Sequence, residues 1–176
     1  DFLAPAPAAS KVTSNVLLGF NADVPVRISE FHYDNANGDV NEWIEISAPG
    51  GTNLQGYTIA LYDGTNGTTY ATRFLGSVVN ASCNGRGVVI HMVANPPGLH
   101  NGPAGMALVR PDNSVIEFFS YEGSFTAVNG PAAGMTSLDI GVSEPGTGPS
   151  NPVTSLQRNG ASPFWVGPIQ NTFGSC

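Results

Sequence analysis

Five oxygen-bearing side chains fall within nine residues: Asp34, Asn35, Asn37, Asp39 and Glu42. A hard cation such as Ca2+ takes roughly six to eight oxygens, and clustered Asx side chains with loop carbonyls supply them. The EF-hand pattern is not met, because no register combines the required acid spacing with a glycine at the sixth position. The same residue types also build turns through side-chain to backbone bonds, so the cluster reads either as a cation loop or as turn chemistry. Asp139 and Glu144, in a later Gly-rich stretch, either complete that site from across the fold or form one of their own.

Glu30 and Glu45 form a second pair of carboxylates, each in an apolar, strand-like run. Two acids on one sheet can do acid–base chemistry. They can equally accept hydrogen bonds from backbone or from Arg27 and Arg110. The three histidines, His32, His91 and His100, are scattered, and His32 and His91 alternate with strand residues as satisfied sheet histidines do. Gly141-Val142-Ser143-Glu144-Pro145 lacks the last glycine of a nucleophile elbow. There is no phosphate loop, dinucleotide fingerprint or HExxH. The residues therefore point away from an enzyme.

Composition narrows the class further. The chain has 176 residues, a formal net charge of −7 and 11% charged residues, and Lys11 is its only lysine. Affinity for nucleic acid comes from clustered Lys and Arg releasing counterions, so neither nucleic acid nor an anionic membrane is an expected partner. Cys83 and Cys176 sit outside any CxxC or zinc-ligand spacing, and they read as one disulfide of a secreted protein. Such a bridge stabilises by roughly 4–5 kcal/mol on the chain-entropy model. No run approaches the ~20 apolar residues of a membrane span, and the chain reads as a mature product whose export signal has been removed. Asn66-Gly67-Thr68 and Asn80-Ala81-Ser82 match the N-glycosylation sequon.

The elements that must carry these groups are short. Period-two alternation marks strands at 26–33, 42–47 and 57–62. Further strands are expected at 74–79, 87–93, 106–110, 115–121, 154–158 and 164–166. Pro111-Asp112-Asn113 is a good hairpin turn, since proline presets the first dihedral and asparagine tolerates positive φ. Phe118 and Phe119 should lie on opposite sheet faces, one of them outward, against a partner or beneath a loop. No window shows capped helical periodicity. Seven to nine strands in a β-sandwich or barrel are the expectation by the usual rule for such spacing. Residues 1–24 differ: an Ala/Pro stretch precedes a β-prone, nearly uncharged segment at 11–20, with Val12, Val16, Leu17, Leu18 and Phe20 as its apolar residues.

The pieces ISEFHYDN (28–35), NEWIEISAPGG (41–51), NLQGYTIALYDG (53–64), GMALVRPDNSVIEFFSY (105–121) and SLQRNG (155–160) resemble, in order and spacing, the lamin-tail domain family. Residues 120–144 and the tail 163–176 resemble its secreted bacterial version. The resemblance covers about residues 25–176 and implies an all-β, immunoglobulin-like β-sandwich, with residues 1–24 as an extended N-terminal arm. It implies a non-catalytic binding or architectural module. The favoured expectation is a secreted, extracellular structural subunit that polymerises into a filament or surface layer by donating its N-terminal strand to a neighbour's sheet edge. The alternative is a calcium-stabilised adhesion or ligand-binding module for an extracellular protein or glycan, with Ca2+ as the candidate cofactor, standing alone or within a larger secreted enzyme.

Overall fold

The computed structural model describes residues 26–36, 38–147, 154–158 and 162–175. These form ten strands and no helix: β1 (Arg27–His32), β2 (Trp43–Pro49), β3 (Thr58–Asp63), β4 (Thr68–Phe74), β5 (Arg86–Met92), β6 (Ala104–Val109), β7 (Val115–Tyr121), β8 (Leu138–Asp139), β9 (Thr154–Gln157) and β10 (Val166–Gln170). They assemble as two five-stranded sheets, ordered β10-β9-β1-β2-β5 and β4-β3-β6-β7-β8. All pairings are antiparallel except β7 with β8.

Alternation explains why the sheets stack as a β-sandwich. Ile28, Phe31, Ile44 and Ile46 from one sheet pack against Ile59, Leu61, Met106, Leu108 and Phe119 from the other in a single buried cluster. Successive strand side chains point to opposite faces, so Glu30, beside Phe31, and Glu45, between Ile44 and Ile46, lie on the outer face of the first sheet. Arg158 and Glu117 join the two sheets by an ion pair, and Glu117 also accepts the backbone N–H of Ile28 at 2.6 Å. The Arg158 guanidinium stands 4.9 Å from the centre of the buried Trp165 ring.

Phe118 and Phe119 do part to opposite faces. Phe119 enters the inter-sheet core, while Phe118 joins Ala60, Tyr62, Ala107 and Val109 in a second small core beneath the loop that carries Ala127 and Ala132. The outward phenylalanine is therefore covered by its own chain. At the 110–114 turn, Asn113 has φ of 65°, the left-handed conformation that the residue type tolerates.

One expected strand moves. Residues 74–79 are not the fourth strand; Thr68–Phe74 is, hairpinned onto β3 with Thr58 opposite Phe74. The burial of Leu75 and Val79 has another cause. That segment runs beside 51–54, held by Leu54 N–H to Ser77 C=O at 2.9 Å and Val79 N–H to Thr52 C=O at 2.9 Å. The last strand also runs later than expected, over Val166–Gln170, and the two-residue β8 brings the count to ten. The arm residues Val12, Val16, Leu17, Leu18 and Phe20, together with Asn37 and Cys176, lie outside the described residues.

Candidate functional site

One end of the sandwich gathers most of the oxygen donors. β1 runs out at His32 into the 33–41 loop, and the 141–147 segment folds back against it. Glu144 is buried there. One carboxylate oxygen takes the His32 Nδ1 proton at 2.8 Å; the other accepts the backbone N–H groups of Tyr33 at 2.7 Å and Asp34 at 3.1 Å. The Tyr33 hydroxyl closes the network. It donates to Glu122 at 2.6 Å and accepts the Glu144 backbone N–H at 2.8 Å. The Nε2 atom of His32 faces the Asn35 Nδ2 amide at 2.8 Å. With that amide donating, Nε2 is an acceptor and Nδ1 carries the proton donated to Glu144. Burial opposes the charged imidazole, but the Glu144 hydrogen bond and charge outweigh it, so the His32 pKa is raised.

The Asx loop is held from within. Asn35 Oδ1 accepts Val40 N–H at 2.9 Å, and Asp39 Oδ1 accepts Asn35 N–H at 3.1 Å. Asp34 takes the Asn101 amide at 3.2 Å. Burial, followed by the charges of Asp39, Glu122 and Glu144, pushes the Asp34 carboxyl up. Glu42 turns inward beneath Gly98. Its Oε1 accepts Leu99 N–H at 2.8 Å and its Oε2 is buried without a hydrogen-bond partner. Burial pushes that carboxyl up to about 7, the Leu99 hydrogen bond opposing.

Glu144 thus reaches the 34–42 loop from across the fold, and Asp139 does not. Asp139 is exposed on β8 and caps its own turn by accepting Gly141 N–H at 3.0 Å. Among the described residues, no group of three or more His, Cys, Asp and Glu side chains is placed to hold a metal ion. Asp34, Asn35, Asp39 and Glu144 spend much of their oxygen capacity on backbone and side-chain donors. Glu122 belongs to this cluster although only the Gly/Pro-rich character of its region is legible in the sequence. The adjoining surface is a groove of about 380 Å³ lined by Asp39, Asp63, Asn95, His100 and Asn101 among others.

The pair Glu30 and Glu45 lies elsewhere, as direct cross-strand neighbours of β1 and β2. Like charges so placed repel. Neither arginine considered from sequence meets them; the C-terminal segment does. Glu30 accepts Ser155 Oγ–H at 2.6 Å, Thr172 N–H at 2.8 Å and Thr172 Oγ1–H at 2.6 Å. Glu45 accepts Ser29 Oγ–H at 2.7 Å and Gly174 N–H at 2.8 Å. Burial, with the Glu30 charge adding to it, pushes the Glu45 carboxyl up to about 7, against its two hydrogen bonds. Beside them Phe173 stacks on Trp43 with ring centres 5.6 Å apart. These carboxylates bind the C-terminal segment and are buried beneath it.

Comparison with protein-family models, with curated proteins and with solved structures finds no match to this chain.

Proposed function

We propose that this chain is a non-catalytic, secreted structural subunit of lamin-tail type, which assembles by adding its N-terminal segment to a sheet edge of a neighbouring copy. The observation that carries the reading is the state of the four edges. β8 has two residues, and β10 is interrupted by Pro168, which cannot donate to a ladder. β4 pairs with β3 through a register shift. β5 pairs with β2 in unbroken register over seven residues; Ser82 and Cys83 already bond its Arg86 end, and Val88 to Met92 continue without proline or formal charge. A regular, uncharged edge of this kind is a template for another strand, and residues 11–20 supply a strand of matching character.

The buried acids support the same reading from the other side: Glu30, Glu45 and Glu144 tie elements together. A bridge between Cys83 and Cys176 belongs to the proposal, and no free cysteine among the described residues is what supports it. Removing residues 1–20 tests the whole. The full chain is expected to sediment as polymers and the shortened chain as a monomer; polymers that survive the deletion refute the reading.

A second reading has one specific observation in its favour. After burial, the charges of Asp39, Glu122 and Glu144 push the Asp34 carboxyl up, and a bound Ca2+ would relieve that repulsion. Melting with millimolar Ca2+ and with EDTA decides it. A rise with Ca2+ supports a calcium-stabilised extracellular module; identical curves count against it.

A further inference from the structure

The two sequons look alike as sequence and differ as geometry. Asn66 stands exposed in the turn between β3 and β4. Its Oδ1 accepts both the Thr68 backbone N–H at 2.8 Å and the Thr68 hydroxyl at 2.6 Å. Its Nδ2 points at the Asp63 carboxylate at 3.3 Å. Amide, hydroxyl and backbone of the sequon are therefore already closed into one ring. Two donors on the oxygen polarise the carboxamide, and an anionic oxygen sits on the nitrogen side. The tip is fixed in place by Gly67 N–H to Asp63 C=O at 2.8 Å and Val128 N–H to Gly67 C=O at 2.9 Å.

At Asn80 the serine of the sequon is committed elsewhere. The Ser82 N–H goes to the Arg86 carbonyl at 2.7 Å, and Ser82 Oγ contacts Cys83 Sγ at 3.4 Å. The Asn80 carbonyl is pressed against Gly87, where a Cβ would come within 1.7 Å of it.

We propose that Asn66 is the acceptor of an N-linked glycan and that Asn80 is not, an inference that rests on the extracellular reading above. The donor is a lipid-linked oligosaccharide pyrophosphate used by a transferase of the producing cell. Nδ2 attacks the anomeric carbon; the N–C bond forms as the C–O bond breaks, and its electron pair leaves on the phosphate oxygen. The amide proton passes to a base of the transferase, while the Asp63 carboxylate, 3.3 Å from Nδ2, orients the amide. Hydrogen bonds from the Thr65 hydroxyl and N–H hold that carboxyl below its ordinary pKa. Asp63 and Thr65 also line the 380 Å³ groove, so the glycan would stand at its mouth.

Trypsin cuts after Arg27, Arg73 and Arg86, which places the two sequons on separate peptides, 28–73 and 74–86. Native protein, reduced, digested and weighed, is expected to carry a saccharide mass on the first peptide and none on the second. Thr68→Ala, made in the same organism, should lose that mass and Thr68→Ser should keep it, with circular dichroism confirming the fold of each. A bare 28–73 peptide on protein recovered outside the cell overturns this inference and leaves the extracellular reading standing. A saccharide on 74–86 alone overturns it as well. Protein found only inside the cell overturns both.

Discussion

Replacing Glu30 by alanine should cost about 4 kcal/mol, because three donors lose a charged acceptor at once: Ser155 Oγ, Thr172 N and Thr172 Oγ1. Hydrogen bonds to charged groups contribute about 1.5–3 kcal/mol each, and a donor left buried adds its desolvation cost. The low end of that range applies here, since alanine also removes the Glu30 charge that faces Glu45 across the ladder. For a domain of this size, about 2–4 °C is lost per kcal/mol, so the melting temperature should fall by roughly 8–16 °C. Glu30→Gln keeps an acceptor and should cost only about 1 kcal/mol. The assay is thermal and urea unfolding at pH 8, where Glu45 is ionised, with amide exchange at Thr172 and Gly174 as the local readout. Exchange there should accelerate in Glu30→Ala while the β6 amides change only with global stability. A cost below about 1 kcal/mol, or unaltered exchange in the tail, would refute the claim that this acid holds the C-terminal segment down.

Further predictions concern titration and packing. Glu42 and Glu45 are pushed from 4.5 to about 7 in the folded protein. A raised value means that the fold binds the proton more tightly, so this stability is complete below about pH 4.5 and lost as pH rises through about 7. It is worth at most about 3 kcal/mol per group. The melting temperature should therefore fall between pH 5 and pH 8; a flat or rising profile contradicts the assignment. Glu42→Gln should flatten that profile, since it removes the charge while an amide oxygen still meets Leu99 N–H. Gly87→Ala should destabilise by about 2–3 kcal/mol through its clash with the Asn80 carbonyl, read by urea denaturation.

Much of the sandwich is legible in the sequence because it rests on a two-residue period. Ile44/Ile46 and Ile59/Leu61 announce inner faces, and Asn113 announces its turn; Ile28 and Phe31, three apart, share a face only through the irregular register of β1 between Ile28 and Glu30. The misplacement at 74–79 shows the limit: Leu75 and Val79 are buried against 51–54, and burial without a ladder leaves the same apolar pattern. A better sign was present at Asn66-Gly67, a turn pair that places a hairpin between β3 and β4. The site is less legible. Asp34, Asn35 and Asp39 are neighbours in sequence, but their use in turns depends on which backbone N–H faces each oxygen. Glu144 finds His32 across 112 positions, and Glu30 finds Thr172 across 142. A carboxylate that binds distant backbone has no local pattern.

Assembly through strand addition is tested most directly by titrating a synthetic peptide of residues 8–22 into protein that lacks residues 1–20. Saturable one-to-one binding is expected, with slowed amide exchange confined to β5. The absence of binding at peptide concentrations far above those at which the full-length chain polymerises would contradict it.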